Sequence, residues 1–132
     1  GLYRPRAFQQ LYDLEVARCQ RYEVPATLVS LRIGNLTELV GGQAGQQLRR
    51  LTGEIKELLA GIFRDTDLLT DVSQDPILVI FTHTRIDDAQ NALDRLEENL
   101  SDLVSAQIEI QSTAYDLREE APDLDEVRRE AE

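Results

Sequence analysis

Leu68-Leu69-Thr70-Asp71-Val72-Ser73-Gln74-Asp75-Pro76-Ile77-Leu78-Val79-Ile80-Phe81 contains two short apolar runs, Leu68–Val72 and Ile77–Phe81, flanking four turn formers. That arrangement predicts an antiparallel hairpin with its tip in solvent. Upstream, from Ala44 to Phe63, the set Leu48, Leu51, Ile55, Leu58, Leu59 and Ile62 recurs every three or four residues, which predicts a long amphipathic helix ending in Arg64-Asp65-Thr66-Asp67. Downstream, Asp87-Asp88 favour the positive end of a helix whose stripe is Ala89, Ala92, Leu93, Leu96, Leu100 and Leu103. Further out, Ala26–Ile33 alternates and is rich in branched residues, a strand that stops at Gly34 and leads to the glycines 41, 42 and 45. Ala106–Tyr115 reads as a last strand, with Ile108 and Ile110 set against Glu109 and Gln111. Pro5 ahead of Ala7, Phe8, Leu11, Leu14, Ala17 and Cys19 predicts a first helix from about Arg6 to Arg21, stopped by Pro25, and a short acidic helix is expected from Leu124.

After the first helix the order is strand, helix, strand, strand, helix, strand. This is an α+β fold, a ferredoxin-like split βαβ arrangement with one antiparallel sheet and helices packed on it. The chain has 132 residues, 42% hydrophobic and 30% charged, enough for one domain, 1–132, with its own core. It contains no methionine and begins at Gly1, so it is read as a piece of a longer multidomain polypeptide. Asp plus Glu number 25 against 14 Lys plus Arg, a formal charge of −11. Such a surface excludes a general grip on nucleic acid polymers or an anionic membrane, and any anion must be held by a local arginine cluster. A lone Cys19 excludes an intramolecular disulfide and a cysteine-based zinc site, and a lone His83 excludes a histidine-rich metal site. No long apolar run and no signal-peptide pattern is present, and the expected location is the cytoplasm.

Three stretches in order resemble the GGDEF domain, the bacterial nucleotide cyclase module that makes cyclic di-GMP. Leu2-Tyr3-Arg4-Pro5-Arg6-Ala7-Phe8 is similar to that family's opening Gly-Leu-x-Asn-Arg-Arg-x-Phe, and Leu28–Leu36 to its strand ending in Asp-Ile-Asp-x-Phe. Arg64-Asp65-Thr66-Asp67-Leu68 resembles the Arg-x-x-Asp stretch ahead of the signature hairpin, and Ser73-Gln74-Asp75-Pro76-Ile77 occupies the signature. In active members the strand-end Asp and the signature Glu ligate two magnesium ions. Those positions here are Arg32, which cannot ligate a cation, and Pro76, which has no side-chain oxygen. Ser73 and Gln74 replace the glycines that let the backbone approach the phosphates, and Asp75 keeps an acid in a turn. The resemblance with these departures implies a degenerate domain that is not an enzyme, with no catalytic residue, no magnesium and no other cofactor.

The family's inhibitory site binds cyclic di-GMP through the Arg and Asp of Arg-x-x-Asp and a second arginine on the next helix. By ungapped counting these are Arg64, Asp67 and Arg95. The chemistry suits the ligand: an arginine fork pairs with guanine O6 and N7 or with phosphate, and a carboxylate accepts from guanine N1 and N2. Arg85-Ile86-Asp87-Asp88 repeats the motif, but only the first copy stands five residues ahead of the hairpin, and Asp65 and Asp71 beside it repel phosphate. Cys19 is read as a half-buried helix residue, His83 as a strand-end surface residue, and Arg49-Arg50 as a solvent face. The tail Asp116–Glu132, with eight acids against three arginines, is read as a solvated segment. The expected function is a non-catalytic cyclic di-GMP receptor that regulates a neighbouring domain or forms a homodimer through the ligand. The alternative is a ligand-free interaction module derived from the same domain.

Overall fold

Pro5 presets the first turn of a helix, and the alternation that starts at Ala26 commits the chain to extended backbone. In the computed structural model, which describes residues 2–33, 46–70, 76–103 and 110–130, these signals produce nine elements. They are β1 (Leu2–Tyr3), α1 (Pro5–Tyr22), β2 (Ala26–Ile33), α2 (Gln46–Ile62), β3 (Leu68–Thr70), β4 (Ile77–Thr82), α3 (Ile86–Leu103), β5 (Ile110–Asp116) and α4 (Leu124–Glu130). Glu23 ends α1 in the left-handed region at φ 54°, the usual place for a helix to stop, and Pro25 follows two residues later. Ile86 opens α3 earlier than its apolar stripe does, and Asp87 and Asp88 lie in its first turn, where they complement the exposed N–H groups.

The strands form one sheet in the order β1-β3-β4-β2-β5. β4 pairs antiparallel with β2, with Leu31 opposite Ile77 and Val29 opposite Val79, and β5 pairs antiparallel with the other edge of β2. This is the split βαβ order expected. One correction is needed: the sheet is mixed, because Leu2 and Tyr3 pair parallel with Leu69 and Thr70 of β3. Two residues carry no periodicity that a sequence could reveal, and they become a strand only because β3 offers them an open edge. The signature residues Ser73, Gln74 and Asp75, the glycines 41, 42 and 45, and Ala106–Glu109 lie outside the described residues.

Every residue of β4 is buried, so the strand serves two cores at once. On one face Val29, Leu31, Ile77, Val79 and Phe81 meet Leu59 of α2 and Ala89, Ala92, Leu93, Leu96 and Leu100 of α3. On the other, Ala26, Leu28, Leu78 and Ile80 meet Phe8, Tyr12 and Cys19 of α1 and Leu124 and Val127 of α4. Two expectations change here. Cys19 is fully buried, and burial pushes its thiol pKa up. The acidic tail is not simply solvated: Leu117, Leu124 and Val127 close the second core, and the Tyr12 hydroxyl donates to the Pro122 carbonyl at 2.7 Å. Burial, with help from Asp13, also raises the Tyr12 phenol.

Candidate functional site

The helix α2 ends where the chain must reverse into β3, and Asp67 closes that reversal. Its backbone N–H donates to the Arg64 carbonyl at 3.0 Å, while its own carboxylate, 2% exposed, accepts the Arg64 backbone N–H at 2.9 Å. The same carboxylate accepts the Thr82 N–H and the Arg64 Nη2, both at 3.3 Å. A buried carboxylate needs such donors, since an unpaired one would be expelled or neutralised. Arg64 is in turn held by the end of β4: its Nη2 donates to the Thr82 carbonyl and to Thr84 Oγ1, each at 2.6 Å. Thr82 Oγ1 donates back to the Thr66 carbonyl at 3.1 Å, so the α2–β3 turn and the β4 terminus are joined from both sides.

The structure therefore brings Arg64 and Asp67 together, with Asp67 buried and the Arg64 side chain 57% exposed. Arg95 is exposed on α3, which packs beside α2. It stands nine residues after Ile86, about 14 Å along the helix axis from the end that lies next to Thr84. Asp94, Glu97 and Glu98 share that outer surface. Arg32 is half-buried on β2 opposite Gln111 of β5, Pro76 is buried just before β4, and Ile77 pairs with Leu31. His83 sits in the left-handed region at φ 51°, its Nε2 3.0 Å from Arg18 Nη1.

Beside the turn, a cavity of about 150 Å³ opens between α2 and the β1–β3 edge. Buried Leu59 and Leu69 and half-buried Phe63 line it together with Lys56, Arg64 and the half-exposed Leu2. Sequence reasoning missed Lys56, Thr82 and Thr84. Lys56, Leu59, Ala60 and Phe63 do recur at helical spacing, a signal that places Lys56 on one face of α2 with them, whereas nothing in the sequence linked Thr82 and Thr84 to Arg64.

No family model and no curated protein sequence matches the chain. Solved structures do match. The GGDEF domain of FimX from Pseudomonas aeruginosa aligns with a TM-score of 0.78 at 22% identity, over 99% of this chain and 85% of that one. The GGDEF domain of DgcB from Caulobacter crescentus, in complex with c-di-GMP, gives 0.78 at 12%, over 98% and 80%. The chain has the GGDEF fold. Diguanylate cyclase SiaD from Pseudomonas aeruginosa, in complex with its activator SiaC, shares this fold with a TM-score of 0.75 at 17% identity, over 96% of this chain. The chain spans half the length of SiaD.

This corrects the expectation that the chain is not an enzyme, because the proteins that share its GGDEF fold over nearly its whole length include diguanylate cyclases. Catalysis depends on where oxygen ligands converge in space, which counting along a sequence does not set. The counted positions themselves do not fit magnesium, since Arg32 brings a cation and Pro76 no side-chain oxygen. Among the described residues no group of three or more His, Cys, Asp or Glu could hold a metal ion, and Asp71 and Asp75 of the hairpin lie outside them. Among the described residues, too, no helix is long and apolar enough to cross a membrane.

Proposed function

We propose that this GGDEF-fold domain binds cyclic di-GMP at the edge where α2 turns into β3. The observation that carries the reading is the anchoring of Arg64: one nitrogen is fixed by Asp67, Thr82 and Thr84, while more than half of the side chain faces solvent. A guanidinium held in one rotamer loses little freedom when it meets a phosphate or the O6/N7 edge of a guanine. In this reading Arg64 touches the ligand and Asp67 is a positioning residue, its oxygens being engaged within the chain. Arg95 supplies a second positive charge from α3. The complex of DgcB with c-di-GMP supports the choice of ligand. The alternative, an interaction module with no ligand, draws on the same pair: the bonds between Arg64 and Asp67 are complete without one.

Titration calorimetry of cyclic di-GMP into the domain and into Arg64→Ala separates the two, with GTP and magnesium run in parallel to read turnover independently. A charge-assisted contact contributes about 1.5 to 3 kcal/mol, so the variant should bind at least about tenfold more weakly. Absence of binding to the unmodified domain would reject the ligand reading in favour of the interaction module.

A further inference from the structure

The cavity beneath α2 has a chemistry of its own. Its floor is apolar and fixed: Leu59 is 1% and Leu69 7% exposed, and the Phe63 ring is held edge-on against Phe81 at 5.1 Å between centroids and 76° between planes. A flat ring entering there meets aliphatic walls and a phenyl that does not have to move to receive it. Its rim is polar, with Lys56 and Arg64 as cations and Asp65 as the exposed acid. Asp67 also borders the space, but its charge is already met by three N–H donors. At about 150 Å³ the cavity falls well short of the roughly 300–1,000 Å³ that encloses a drug-sized ligand, so it takes a fragment and not a whole dinucleotide.

From this combination we infer that the cavity receives one purine base of the bound dinucleotide, and that Lys56 pairs with the phosphate next to that base. The inference rests on the ligand reading above and adds a base pocket and a ligand-contacting residue to it. An inorganic anion would leave the apolar floor unused, and an uncharged ring would make no use of the cations that Lys56 and Arg64 bring to the rim. Only a ring joined to an anion uses both halves of the site, with Arg64 common to the cavity rim and the exposed edge.

Two measurements test it on the same domain: calorimetry with cyclic di-GMP, and methyl NMR of the leucines with cyclic di-GMP or guanosine monophosphate as probe. Lys56→Ala should weaken cyclic di-GMP at least about tenfold and Lys56→Arg should restore most of the affinity. Ala60→Phe, on the exposed side of the cavity, should block the base while the thermal midpoint stays unchanged. Ring currents should displace the Leu59 and Leu69 methyl resonances, and Leu2 at the open edge, in the unmodified domain. If Arg64→Ala weakens binding while Lys56→Ala does not, and the leucine methyls stay in place, the cavity assignment is overturned and the ligand reading stands. If cyclic di-GMP does not bind the unmodified domain, the ligand reading falls and the base pocket with it.

Discussion

In Arg64-Asp65-Thr66-Asp67 the final acid is buried and accepts two backbone N–H groups; in Arg85-Ile86-Asp87-Asp88 it is exposed in the first turn of α3. The arginines differ as well. Arg64 is tied to the end of β4 by its side chain, whereas exposed Arg85 contributes its carbonyl, which accepts the Ala89 N–H at 3.0 Å. One four-letter pattern thus yields a structural clasp in one place and a helix entry in the other. The pattern does not carry this difference. A strand end lies against Asp67 and offers it an unpaired N–H, while Asp88 lies on a helix whose own bonds leave it to the solvent.

The largest consequence concerns stability. Asp67→Ala leaves the N–H groups of Arg64 and Thr82 without their acceptor and should cost about 2 to 3 kcal/mol, lowering the thermal midpoint by on the order of 10 °C. Asp88→Ala removes only a favourable charge at a helix start, at most about 1 kcal/mol. Equal losses in a thermal melt of the two variants would erase the contrast. The same pair can be read at a distance through Cys19, which is fully buried in the opposite core with its thiol raised by burial. Its labelling by a thiol reagent in native buffer follows the open population, so it should accelerate by more than about tenfold in Asp67→Ala and by no more than about fivefold in Asp88→Ala.

Binding gives the next effect. Arg64→Ala should weaken cyclic di-GMP about tenfold or more and Arg85→Ala less than about twofold, as calorimetry would show. Comparable losses would mean that the ligand senses only the general positive charge of this edge. Thr84→Val is the finest probe: it keeps the shape but removes the hydroxyl that accepts from Arg64. It should cost roughly 1 kcal/mol of stability and a few-fold in affinity, and an affinity unchanged beside a lowered melting point would confine Thr84 to the fold.

Much of the architecture was legible because periodicity reports burial directly. The run Ala26–Ile33 became β2 with those bounds, and Leu58, Leu59 and Ile62 of α2 with Ala89, Ala92, Leu93, Leu96 and Leu100 of α3 became the lining of one core. β1 was not legible, since two residues have no period, and neither was the role of the acidic tail, whose buried Leu124 and Val127 are spaced like any short surface helix. Within the site, Arg64 and Asp67 could be singled out from their position ahead of the hairpin. Their partners Thr82 and Thr84 could not, because that contact spans a strand pairing.

By itself the sequence determined the fold class and the succession of helices and strands. Those follow from local hydrophobic spacing, turn chemistry and charge, all of which act between near neighbours. Only the tertiary structure decided that Asp67 is a buried clasp, that Arg64 is held by β4, and that Lys56 and Phe63 share a cavity with Leu2. Each of these depends on elements far apart in the chain lying edge to edge, and hydrogen bonds and cavities form between surfaces that meet in space, whatever their separation along the backbone.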